Sequence, residues 1–189
     1  MRTRDGGTPL TPWPDSEGND GPWSTFDLRV GTPGQLVRVL ISTASPDTWV
    51  VADTACQTTA CQSSRGEVFD SSKSSTFLDR GYFGLHVEGN LNYTGIGNYG
   101  LETLGLGLTA AEGPTLQGQV VATINTTQFY LGIFGLNIQP TNFTLFNNTV
   151  ESFFSSLKTQ KYIPSLSWSY TAGNQYSMTT PPHIMTRSC

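Results

Sequence analysis

Apolar and polar residues alternate with a period of two at Phe26, Leu28 and Val30, the mark of a strand with one buried face. The turn residues GTPGQ (31–35) follow, and LVRVLI (36–41) returns as a second strand. TWVV (48–51) is short and rich in β-formers. Between positions 82 and 127 short apolar pieces alternate with Gly and Asn. The stretch LHVEGNLNYTGIGNYGLETLGLG predicts paired strands joined by tight turns, and QVVATI (119–124) predicts another strand. YLGIFGLN (130–137) is an apolar run punctuated by Gly132 and Gly135, where the missing side chain permits close approach of another backbone. FDSSKSSTF (69–77) reads as a solvated coil connector.

The period changes once. In NTVESFFSSLKTQ, residues Val150, Phe153, Phe154 and Leu157 fall at i, i+3, i+4 and i+7, the spacing of an amphipathic helix. Asn148 or Thr149 is the expected cap, Glu151 suits the first turn, Lys158 and Lys161 suit the end, and Pro164 stops it. The apolar stripe is expected to pack on a sheet. Together the pattern predicts a mostly antiparallel β domain with one well-signalled helix.

Composition narrows the class. A chain of 189 residues is long enough for one domain with a real core, and its 20 Gly and 11 Pro agree with many turns. The net charge of −4 and the scattered basic residues argue against a nucleic-acid partner. Residues 113–150 carry no charge, but their Asn, Thr and Gln content is too polar for a membrane span. Residues 1–22 read as a disordered leader without the apolar core of a signal peptide; beside the sequons described next, this leads us to expect an incomplete or alternatively predicted start. Residues 176–189 read as an atypical, disordered tail.

Four Asn-X-Ser/Thr sequons, at Asn92, Asn125, Asn142 and Asn147, point to a secreted or cell-surface glycoprotein. Cys56 and Cys61 lie five apart between predicted strands, which favours a loop-closing disulfide. A zinc site with the distant His86 and His183 is the rival reading. Cys189 is left over.

At this point the sequence resembles the N-terminal lobe of the pepsin-like aspartic peptidases, family A1, through motifs in matching order. FDLRVGTPGQLVRVLI is similar to that family's hairpin with its VGTPxQ turn, and STASPDTWV lies where the family has DTGSSxLWV. CQTTAC matches its short disulfide loop, and VFDSSKSSTF resembles FDPSKSSTF. GNYGLETLGLG resembles the GxxGxDTV strand, YLGIFGLN the DGILGLG strand, and FFSSLKTQKYIPSLSWSY the following helix and strand. The resemblance implies a pepsin-like acid protease fold, with a single N-terminal lobe over residues 23–175.

It also implies a bilobal family in which each lobe supplies one Asp at a DTG loop, with the substrate between the lobes. Two carboxylates close enough to share a proton split their pKa values, so one acts as base and the other as acid. Here the corresponding loop is Ser42, Thr43 and Ala44, and no second DTG-like segment occurs. A serine hydroxyl does not ionise near neutrality, and losing general acid–base action costs roughly 10²–10⁴ in rate. Ala44 stands at a Gly position and is expected to reshape the loop. Asp47 and Asp53 are expected to be solvated surface charges.

A nucleophilic Ser42 would need a base and an orienting acid; only His86 and His183 exist, and no G-x-S-x-G elbow surrounds it. Counting back from Gly97 puts the family's flap Tyr near Asn90. A shorter hairpin would instead place Tyr93 in the flap, and an ordinary strand tyrosine is the alternative. A glycan at Asn92 would crowd the cleft entrance. Tyr93 and Trp49 are the substrate-cleft candidates, and no metal or cofactor is expected.

The expected function is a catalytically impaired homologue that binds peptide or protein along the inherited cleft face. The alternatives are an aspartic endopeptidase acting as a two-lobed full-length form, and a truncated fragment without independent function. Self-association through an exposed lobe face is a further expectation.

Overall fold

The computed structural model describes residues 12–13, 25–85, 95–141, 149–170 and 184–185. Its strands are β1 (Pro12–Trp13), β2 (Thr25–Val30), β3 (Gln35–Ser42), β4 (Trp49–Val51), β5 (Leu78–Gly84), β6 (Ile96–Leu106), β7 (Thr115–Ile124), β8 (Gly132–Gly135), β9 (Ser169–Tyr170) and β10 (Ile184–Met185). Among the described residues there are also two α-helices, α1 (Thr59–Ser64) and α2 (Phe153–Thr159), and two short 3-10 turns, Asp53–Ala55 and Ser71–Lys73.

Eight strands form one sheet in the order β1-β2-β3-β8-β4-β7-β6-β5, and a further β2–β6 pairing closes six of them into a barrel. β2 lends the same edge to two partners: Phe26 and Thr25 pair with β1, while Leu28, Arg29 and Val30 pair with Leu106, Gly105 and Leu104 of β6. Most pairings are antiparallel, as the turn-rich pattern predicts; β3–β8 and β4–β7 run parallel. Outside this sheet β9 pairs antiparallel with β10, so Ile184 and Met185 of the expected tail sit opposite Tyr170 and Ser169.

Closure corrects the reading of β2. Its alternation predicts one wet face, yet all six residues are buried, including Asp27 and Arg29. The Arg29 guanidinium resolves the conflict by donating to the carbonyls of Leu106, Gly107 and Thr109 and to Thr115 Oγ1, which ties β2 to the β6–β7 turn. Burial pulls this guanidinium below its ordinary pKa, and Glu112 acts in the opposite direction.

Inside the barrel, Phe26, Leu28, Val30, Val37, Val39, Leu104, Leu116 and Val121 form one apolar cluster with Phe153, Phe154 and Leu157 of α2. The predicted stripe therefore packs on the sheet. The helix begins later than expected, because Val150 is held in an isolated bridge with Thr141 and Ser152 is the cap, its hydroxyl accepting from the Ser155 N–H. Asn148 lies outside the described residues. The connector at 69–77 is also less solvated than its sequence implies. Phe69 is fully buried, stacks edge-on with Phe77 at 6.0 Å, and is followed by a tight turn capped by Asp70.

α1 carries no apolar stripe and was invisible to periodicity. It is held by Thr58, whose side chain accepts from the Cys61 N–H, and by the Cys56–Cys61 disulfide. That bond removes the zinc reading for these two cysteines.

Candidate functional site

Ser42 is the last residue of β3 and pairs in parallel register with Gly135 of β8. β8 enters between β3 and β4, and this insertion builds the loop. Leu136 N–H donates to Ser42 O at 2.8 Å, and Gly135 N–H reaches Thr48 Oγ1 at 3.4 Å. Asn137 completes the clamp: its backbone N–H meets Ser45 O at 3.4 Å, and its Nδ2 donates to Thr43 O at 3.3 Å and Ala44 O at 3.4 Å. Ser42 is half-buried, while Thr43 and Ala44 are exposed.

The Ser42 hydroxyl accepts from the Ala44 N–H at 3.3 Å. Its contact is thus a local turn bond, and among the described residues no histidine or carboxylate bonds to it. Positive φ at non-glycine positions occurs at Glu67 and Lys161, so the Ala44 methyl stands in an ordinary backbone conformation.

Asp47 is a correction. Instead of a solvated charge it is 1% exposed, behind the loop, with its N–H on Ser45 Oγ at 3.0 Å. Tyr99, fully buried on β6, has its phenol pKa raised first by burial and then by the charge of Asp47. Asp53 is half-buried at the head of a short turn. Trp49 is likewise not cleft surface: it is 2% exposed, packed on Phe129 with ring centroids 5.6 Å apart. Tyr93 and Asn92 lie outside the described residues, as do His86, His183, Asn142 and Asn147. Asn125 is exposed, and its Oδ1 accepts from Thr54 Oγ1 at 2.8 Å.

Sequence reasoning missed Asn137 and Arg65. Asn137 had a signal, since it stands where the resembled DGILGLG strand ends in Gly. Arg65 had none, because its partners lie more than sixty residues away at Thr126, Phe129 and Tyr130.

The family model for eukaryotic aspartyl protease matches residues 25–180. The chain belongs to the eukaryotic aspartyl protease family. Two relatives are each named secreted aspartic protease 7, one from Candida albicans strain SC5314 / ATCC MYA-2876 and one from Candida albicans. The first is 32% identical and the second 31% identical over 120 residues. Each match covers 59% of this chain but 19% of the relative, so the chain spans only a fraction of the length of the proteins it resembles. The aspartyl protease assignment accounts for the closed barrel, the strand threading the loop and the short disulfide.

Proposed function

We propose that this aspartyl protease-family lobe is catalytically silent and binds an extended peptide or protein segment along the face that carries the Ser42 loop. The observation that supports it is the Ser42 hydroxyl, which takes a turn bond from Ala44 in the place where the resemblance expects an ionisable acid. Such a hydroxyl retains a proton to donate to a peptide carbonyl, but it offers no base for water. The clamp from Asn137 keeps this surface preformed, which lowers the ordering cost of binding. Secretion or display at the cell surface fits the sequons, the disulfide and the names of the relatives. Exposed Tyr82 and Ile96, on one face of β5 and β6, offer an apolar surface for self-association.

A second reading draws on length. Because the matches cover 19% of the relatives, a longer form with a second lobe could supply its own carboxylate and act as an endopeptidase.

The test incubates the purified chain with an unfolded protein substrate from pH 2 to 7, with and without an aspartic-peptidase inhibitor, and measures peptide binding in parallel. Silent binding predicts no inhibitor-sensitive cleavage, and because the Ser42 hydroxyl does not ionise over that range it adds no pH dependence to the affinity. Inhibitor-sensitive hydrolysis by the pure chain would overturn it.

A further inference from the structure

Arg65 closes α1 and is 2% exposed, among the largest fully buried side chains of the lobe. Its guanidinium has no ion pair among the described residues. Instead it gathers backbone: Nε donates to Tyr130 O at 2.8 Å, and Nη2 donates to Thr126 O and Phe129 O, each at 2.9 Å. The same group lies 5.6 Å from the centroid of the Tyr130 ring, and Tyr130 Oη donates to Ser64 Oγ at 2.8 Å. Nη1 is buried without a hydrogen-bond partner, and burial draws the guanidinium below its ordinary pKa. A cation in this position is expensive, and only the fork geometry of arginine serves three carbonyls at once.

What it holds is the connection between β7 and β8. Within that connection Gln128 N–H donates to Thr126 Oγ1 at 3.1 Å. Yet it carries Phe129, whose ring packs on Trp49 at 5.6 Å and lies so close to the base of the β5–β6 hairpin that a Cβ on Gly95 would meet it at 3.2 Å. Trp49 opens β4 directly after the Ser42 loop, while Thr127 and Gln128 face solvent.

We propose that Arg65 is a positioning residue for ligand binding: it fixes the backbone at 126–130 so that Phe129 stays against Trp49 and the exposed Thr127–Gln128 edge forms a rigid wall for an extended peptide. The ligand half of this statement rests on the binding reading above, while the loop half stands without it. The disulfide-closed helix thereby acts on the Phe129–Trp49 contact through one side chain.

The experiment uses the full chain and its Arg65→Ala and Arg65→Lys variants. Amide hydrogen exchange is read at 126–131 and at α2, and binding is read with labelled oxidised insulin B chain. In both variants exchange at 126–131 should rise at least about tenfold, the factor carried by one lost charge-assisted hydrogen bond, with α2 unchanged. Ethylguanidinium should restore Arg65→Ala and ethylammonium should not. Where Arg65→Ala fails to fold, Arg65→Lys, which keeps the charge and most of the volume, is read alone. Unchanged exchange at 126–131, an equal rise at α2, or rescue by ethylammonium overturns the positioning role. Binding of the B chain should weaken about tenfold in step with the loop. Wild-type binding that survives loosening of the loop overturns the link to ligand. Absence of wild-type binding with the loop response intact overturns the peptide-binding reading and leaves the positioning of the loop supported.

Discussion

Replacing Gly135 with alanine probes the device on which the Ser42 loop depends. A Cβ at this position would stand 2.5 Å from Pro46 C, 2.6 Å from Pro46 O and 2.6 Å from Ser45 O, all backbone atoms of the loop. Ordinary contact between such atoms is about 3.5–4.0 Å, so β8 and the loop must part by about 1 Å. Overpacking of this kind costs about 1–3 kcal/mol. The separation also strains the Leu136 N–H bond to Ser42 O and the Asn137 N–H bond to Ser45 O, each worth about 0.5–1.5 kcal/mol. A loss near ~3 kcal/mol is expected, a large part of the ~5–15 kcal/mol by which domains are stable. For a domain of this size that lowers the melting temperature by about 6–12 °C.

The assay is urea and thermal unfolding, with Gly84→Ala as the control. Nothing lies within 4 Å of a Cβ on Gly84, and its backbone lies outside the left-handed region. That variant should be neutral or slightly stabilising, by up to about 1 kcal/mol, because alanine restricts the unfolded chain. Should Gly135→Ala fall within about 0.5 kcal/mol of wild type, the loop is not gripped by β8. Equal shifts in the two variants would refute the argument as well.

The other predictions concern elements around the loop. Removing the disulfide with paired Cys56→Ala and Cys61→Ala opens a closed loop with a sequence separation of 5, and chain entropy sets the expected cost at about 2 kcal/mol; an unchanged urea midpoint would count against it. The Asp70 carboxyl is held below its ordinary pKa, first by the Ser72 hydroxyl and then by Lys73 at 3.0 Å. A depressed folded-state pKa means the stabilisation is present above the ordinary aspartate range and is lost as pH falls through the folded value. Asp70→Asn keeps a capping oxygen, so its deficit should appear near neutrality and vanish in acid; a deficit that grows in acid would be inconsistent with this sign.

Much of this protein is written locally. The alternation in 26–30, the Gly-punctuated run at 130–137 and the stripe of Phe153, Phe154 and Leu157 each report one buried face, since a side chain's period is set by its own backbone. The order of the motifs carried the family, and the residue at position 42 carried the chemistry that the loop can offer. Other features arise only when distant segments meet. Closure of β2 on β6 buries Arg29 and Asp27 on a face the pattern reads as wet. Insertion of β8 puts Asn137 on the Ser42 loop, more than ninety residues away in the chain. Asp47 looks like any polar loop residue until closure of the barrel buries it. Arg65 looks like a surface charge until three carbonyls from 126–130 converge on its guanidinium. Periodicity reports which face of an element avoids water. Which polar groups end up inside depends on the partners that barrel closure delivers, and no local window of sequence contains them.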